Sequence, residues 1–209
     1  MQWAALRRSP TVTRVRDHNQ IVLIRHGETA WSASRRHTGR TDIALDSGGR
    51  AAAATVAHLI TTWDFALVLS SPLSRAFDTA LLAGLDPIVD DDLLEWDYGV
   101  YEGRTTAEIG TEIPGWSVWT HEIIGGESLD AVGARADRVI ARALGADGDV
   151  ALVAHAHLLR ILAARWIEMP PAHGRHLTLD TASTSVLGWE RDTRVICRLN
   201  ISPLNISPW

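Results

Sequence analysis

The chain has 209 residues, 46% hydrophobic and 22% charged, with a formal net charge of −5. That suffices for one well-buried core, is too apolar for disorder, lacks the basic footprint of a nucleic-acid binder, and contains no run near the roughly 18 apolar residues of a membrane span. All 20 basic residues are arginine, which excludes a Walker A lysine, a kinase-type ATP lysine and any Schiff-base chemistry, pyridoxal phosphate included.

Residues 1–19 carry four arginines but no apolar h-region, so they read as a flexible leader rather than a signal peptide. Ile21 to Ile24 is a short apolar run halted by Arg25-His26-Gly27, the pattern of a buried parallel strand. Gly48 to Ile60 predicts a helix with Ala52, Val56, Leu59 and Ile60 on one face. Phe65 to Leu69 predicts a second buried strand, closed by Ser70-Ser71-Pro72. A helix over about 73–83 follows and stops at Gly84.

The pattern then changes. Residues 90–126 are rich in glycine and tryptophan and read as a loop-rich cap, a length of irregular chain that is usually functional. Helical periodicity returns over 128–144, where Leu129, Val132, Ala136, Val139, Ile140 and Ala143 share a face. Asp149 to Ala154 predicts a third buried strand ending at His155, and a helix follows over about 158–166. Residues 185–189 and 194–199 read as a closing pair of strands, and 201–209 as a tail. Alternating strands and helices with no dividing linker predict one domain over 20–200, a three-layer αβα sandwich around a mostly parallel sheet. Cys197 is the only cysteine, so no intrachain disulfide or cysteine-based zinc site exists, which fits a cytoplasmic location.

Three predicted strands end in groups able to do chemistry: Arg25 and His26, then Ser70, Ser71 and Arg75, then His155. In open α/β sheets ligands bind at the carboxyl ends of strands. Two histidines and two arginines converging there suit a phosphate dianion. Arginine's fork matches phosphate oxygens bidentately, and histidine can attack phosphorus. Taken singly, each histidine reads more simply as a satisfied structural group, and Arg75 as a surface residue; the joint pattern carries the reading.

Four ordered blocks carry a resemblance: "LIRHGETAW" (residues 23–31), "HTGRTDIALDSGGR" (37–50), "SSPLSRAFDTA" (70–80) and "LVAHAHLLR" (152–160). By these the chain resembles the histidine phosphatase, or phosphoglycerate mutase-like, superfamily over nearly its whole length. The resemblance implies that His26 takes the phosphoryl group as a phosphohistidine, with Arg25, Arg75 and His155 on its oxygens. It implies no cofactor and no metal. Glu95, in "LLEWDYGVYEG" (93–103), holds the position of the family's general acid and base; Asp97 and Glu102 are its rivals, and Glu102 reads better as a loop anchor. Ser32, Thr38, Gly39 and Tyr98 match substrate-binding positions. The family usually has glycine after its second histidine, and this chain has Ala156.

Mutases of the family carry a long basic insertion, whereas residues 103–126 hold one basic residue, Arg104, which favours hydrolysis. "EWDYGVYEGRTTAEI" (95–109) is similar to actinobacterial acid phosphatases and fungal sedoheptulose-1,7-bisphosphatase in that family, so sugar phosphates or other small phosphorylated metabolites are the expected substrates. Phosphoglycerate mutase activity and a catalytically impaired phospholigand-binding protein are the alternatives. The cluster of Trp96, Tyr98, Tyr101, Trp116 and Trp119 either walls the phosphate site or plugs the cap onto the core. His155-Ala156-His157 also resembles the metal pair of amidohydrolase barrels. Those barrels run to about 250 residues, and no further ligand set follows here. The expected partner is a small phosphorylated substrate, with no nucleic acid and no membrane, and a homodimer is the default oligomer.

Overall fold

The computed structural model describes residues 18–202. The expected leader, apart from residues 18 and 19, and the tail beyond residue 202 lie outside them. In chain order the elements are β1 (Ile21–Arg25), α1 (Ala30–Ala33), α2 (Ser47–Ile60), β2 (Phe65–Ser70), α3 (Ser74–Leu82), β3 (Ile88–Val89), α4 (Thr106–Glu112), α5 (Leu129–Leu144), β4 (Asp149–Ala154), α6 (Ala156–Trp166), β5 (Thr184–Glu190) and β6 (Thr193–Ile201). Short 3₁₀ turns cover Asp91–Leu93, Gly99–Tyr101 and Pro171–His176. The six strands form one sheet in the order β3-β2-β4-β1-β5-β6. The first four of these run parallel, β5 is antiparallel to β1, and β6 is antiparallel to β5.

Strand alternation divides the core in two. Ile21 and Leu23 of β1 pack with α5 and α6 on one face, while Val22 and Ile24 pack with α2 and α3 on the other. Burial on both faces explains why β1 and β4 read as unbroken apolar runs; β2 is buried only at its carboxyl end. Among the described residues no helix is long and apolar enough to cross a membrane.

The cap is more ordered than the expected loop. It contains two 3₁₀ turns and α4, whose capping box joins Thr105 and Glu108. Its aromatic residues settle as core. Trp96, Tyr98, Tyr101 and Trp116 are all buried in the larger apolar cluster, with Trp119 packed against it. The plug reading of that cluster is the one the structure supports, with Tyr98 alone also lining a cavity.

The sheet register sets the functional end. Arg25 lies opposite Ala154, and Ser70 opposite Val153, so β1, β4 and β2 finish side by side. The ladder extends one step beyond each strand: His26 N donates to Ala154 O and Ser71 N to Val153 O, both at 3.0 Å. His26, Ser71 and His155 therefore leave the sheet at one edge, as the sequence predicts.

Candidate active site

A cavity of about 290 Å³ opens at this edge, lined by Arg25, His26, Ser32, Arg35, Arg36, His37, Thr38, Glu95, Tyr98, Ala156 and His157. His26 sits in its wall, 5% exposed. Its Nδ1 lies 2.7 Å from Gly27 O, and a carbonyl only accepts, so Nδ1 carries the proton and donates. That leaves the Nε2 lone pair for an electrophile. Burial, and then the charges of Arg25 and Arg75, push the His26 imidazole well below its usual range, which keeps it neutral and nucleophilic. Gly27 N in turn donates to Thr79 Oγ1 at 3.0 Å, which fixes the turn after β1 from α3.

Glu95 is 4% exposed and comes from the cap, yet it is held by the start of α6. Its Oε1 accepts from Trp96 N and Leu158 N, each at 2.9 Å, and its Oε2 accepts from His157 N at 3.0 Å. His155, the N-cap of α6, makes no side-chain cap, so Glu95 supplies the acceptors that the first helical turn requires. Both lone pairs of Oε1 are spent, and one on Oε2 remains to take or give a proton.

Arg25 Nη1 donates to Leu179 O at 2.5 Å, while its Nε is buried without an acceptor. Arg75 and His155 are fully buried and stand behind His26 rather than in the cavity wall. Arg75 Nε donates to His155 Nδ1 at 3.2 Å, and its other nitrogens donate to Thr38 O, Gly39 O and Thr41 O. His155 Nε2 then donates to Ser71 Oγ at 2.8 Å. Its ring centroid is 5.1 Å from that of His26. Burial, followed by the charge of Arg75, lowers the His155 imidazole well below its usual range. Arg75 thus ties His155 to the 38–41 loop, a bracing role that the sequence reading did not include.

The remaining expected positions divide. Ser32 lines the cavity, but its hydroxyl is occupied in the capping box of α1, donating to Thr29 O and accepting from Thr29 N. Thr38 lines it too, with its hydroxyl on Arg36 O. The Gly39 amide is taken by the Glu102 carboxylate, which also accepts from Thr41 N; Glu102 is the loop anchor. Tyr98 lines the cavity, with its hydroxyl 2.5 Å from His157 Nδ1. Burial, followed by the Glu95 and Glu102 charges, raises the Tyr98 phenol well above its usual range, so it stays a donor. Ala156 is the first residue of α6 and does not adopt a positive φ, so its methyl causes no backbone strain.

Two features escaped the sequence reading. His37 forms part of the wall, its ring 4.9 Å from Tyr98 and its pKa lowered to about 4 by burial. Arg135 of α5, 8% exposed, grips Glu127 through Nε (2.6 Å) and Nη2 (2.8 Å) and donates to the carbonyls of Asp92 and Leu94. Trp96 Nε1 donates to Glu127 O. This clasp holds the chain segment that presents Glu95. A signal for it existed: Arg135 follows Val132 by three positions on the otherwise apolar face of the helix.

Comparison with known proteins places this geometry. The model of the histidine phosphatase superfamily (branch 1) matches residues 21–202. An acid phosphatase of Mycobacterium tuberculosis is 42% identical over 193 residues, covering 90% of this chain and 95% of that one. Sedoheptulose 1,7-bisphosphatase of Saccharomyces cerevisiae is 32% identical over 182 residues, covering 70% of this chain and 67% of that one. A solved mycobacterial glucosyl-3-phosphoglycerate phosphatase in complex with VO3 superposes with a TM-score of 0.80 at 30% identity, covering 88% of this chain and all of that one. With the family model spanning the sheet and every element around it, this chain belongs to the histidine phosphatase superfamily and is a phosphatase.

Proposed function

We propose that the protein hydrolyses small phosphate monoesters through a phosphohistidine on His26, with Glu95 as general acid and then general base, and without a metal. The observation that carries this reading is the Nδ1–H of His26 on Gly27 O, which leaves Nε2 as the attacking atom in the cavity wall. In the first step Nε2 bonds to phosphorus as the ester P–O bond breaks, and the proton on Glu95 Oε2 passes to the leaving alkoxide. In the second, Glu95 takes a proton from water as the water oxygen attacks phosphorus and the N–P bond breaks. The Arg25 guanidinium, whose buried Nε has no acceptor, supplies donor and charge to the phosphoryl oxygens. Arg75 adds positive charge from behind His26 and holds His155 in place. The names of the relatives support sugar phosphates and related metabolites as substrates. The free Cys197 thiol supports a cytoplasmic location.

The test is phosphate release from p-nitrophenyl phosphate, phosphoglycerates and sugar mono- and bisphosphates between pH 5 and 8 with EDTA present. Turnover that chelation leaves intact, with label retained on His26 after an alkaline denaturing quench, is the expected result. Loss of all turnover on chelation, or label on another residue, overturns the reading.

A further inference from the structure

We propose that Arg35 and Arg36 form a second anion subsite at the mouth of the cavity, and that the substrate carries a second anionic group, phosphate or carboxylate, besides the phosphate transferred to His26. The proposal rests on the phosphatase reading above and names its substrate class.

The cavity is larger than one phosphate needs. At about 290 Å³ it has room for on the order of ten waters. His26 and Arg25 line it together with Arg35 and Arg36, and Glu95 is the only carboxylate in its wall. That carboxylate is occupied by three backbone N–H groups. Arg35 is exposed, and its guanidinium makes no hydrogen bond or ion pair among the described residues. Several other surface arginines are paired, and Arg191 and Arg198, unpaired among the described residues, do not line the cavity. Arg50 pairs with Asp78, Arg104 with Glu112, Arg142 with Asp90 and Arg165 with Asp137. Arg36 meets only a carbonyl, Gly103 O at 2.7 Å, through one nitrogen, and keeps further N–H groups for a ligand.

The rim is also a built feature. Arg35 adopts φ +57°, a left-handed conformation uncommon for a residue with a long side chain. Glu168, Ala182, Arg191 and Asn200 share this conformation outside the cavity wall; at Arg35 it closes α1 just after the C-cap Ser34, and the surroundings hold it on both sides. Arg35 N donates to Ser32 O at 3.1 Å and Arg36 N to Trp31 O at 2.9 Å, which closes the end of α1. Beyond, His37 N donates to Arg104 O and Gly103 N to His37 O, and Arg36 bridges Thr105. The backbone that carries the two cations is thereby fixed, and both side chains are exposed in the wall of the cavity that holds His26. A planar guanidinium fork suits a phosphate or carboxylate there.

The test uses matched pairs, alkyl monophosphates and α,ω-alkanediol bisphosphates of two to six carbons, which differ only in the distal phosphate. The readout is the ratio of kcat/KM for bisphosphate over monophosphate within each enzyme. Arg35→Asn removes the charge while tolerating the positive φ, and Arg36→Gln retains a donor for Gly103 O. At least one chain length should give a ratio of tenfold or more in the wild type, falling about tenfold in Arg35→Asn and less in Arg36→Gln. No preference in the wild type, or a preference that survives both substitutions, overturns the subsite. If no pair is hydrolysed at all, the phosphatase reading fails, and calorimetric binding of the same pairs decides the subsite separately. Tighter binding of a bisphosphate, lost in Arg35→Asn, upholds it, and equal binding of both members overturns it.

Discussion

Glu95 and Leu158 stand 63 positions apart in the chain, yet a 2.9 Å hydrogen bond joins the carboxylate of one to the backbone N–H of the other. The proposed acid is therefore anchored to the helix that starts immediately after His155. Its position depends on the sheet edge as much as on the cap that carries it.

Replacing Glu95 by Gln tests both roles of this contact. The amide has one acceptor oxygen and one NH2 group, so at least one of the three backbone donors at Glu95 faces another donor. We expect a stability loss of about 1–3 kcal/mol, read by urea denaturation. Turnover of alkyl phosphates should fall about 10²–10⁴-fold, and that of p-nitrophenyl phosphate far less, because only the poor leaving group needs the proton. An equal loss on both substrates removes Glu95 from the acid role.

His26→Ala addresses the nucleophile. It should abolish turnover by about 10⁴-fold or more while the folded spectrum persists, and the alkali-stable radiolabel that the wild type takes from substrate should be absent. Retained turnover would falsify the assignment.

The Arg135–Glu127 clasp is a structural claim with a kinetic consequence. Arg135→Met leaves Glu127 with Arg40, at 3.5 Å, as its only ion-pair partner among the described residues, and breaking a buried pair costs up to about 3–5 kcal/mol. The double variant Arg135→Met/Glu127→Gln should recover part of that loss. Because Arg135 holds the carbonyls of Asp92 and Leu94, kcat on alkyl phosphates should fall while the KM for substrate changes little. A KM effect without a kcat effect would place the clasp outside the control of Glu95.

Several buried imidazoles make the fold sensitive to acid. His37 is lowered from 6.5 to about 4, and His26, His155 and His157 are lowered well below their usual range, all chiefly by burial. Above pH 6.5 both folded and unfolded chains hold these groups neutral, and stability is at its full value. As pH falls from 6.5 towards 4, the unfolded chain binds protons that the folded one refuses, so stability drops. His37 alone accounts for about 3 kcal/mol across that window. Thermal denaturation should show Tm falling steadily from pH 7 to pH 4, with a shallower slope in His37→Gln. A flat profile in the wild type would sink this account.

The framework was legible in the sequence where one local rule dominates. β1, β2 and β4 are short apolar runs, β1 and β4 buried along nearly their whole length and β2 at its carboxyl end, and each is followed by its polar group. β3 was not legible, because Ile88 and Val89 form a two-residue edge strand with both side chains exposed. α4 was hidden among glycines and tryptophans, although Thr105 and Glu108 spell its capping box. At the site, His26, Arg25 and Glu95 were readable from ordered motifs. The positions of Arg75 and His155 behind the wall were not, since their hydrogen bonds to Thr38, Gly39, Thr41 and Ser71 depend on the folded loop. His37 offered no pattern at all; only its packing against Tyr98 and Trp116 gives it a place.

The central position of β4 has a consequence for how this chain tolerates change in length. β1 and β2 do not pair with each other; each is aligned through β4. One residue gained or lost within β4 would exchange the two faces of the strand and shift His155 against both neighbours together. A residue gained in the turn between β5 and β6, or in the chain leading to β3, ends at a sheet border and is not passed on to the other strands. Insertions are therefore best absorbed at the two outer margins, while the middle strand serves as the fixed ruler against which nucleophile, brace and acid are aligned.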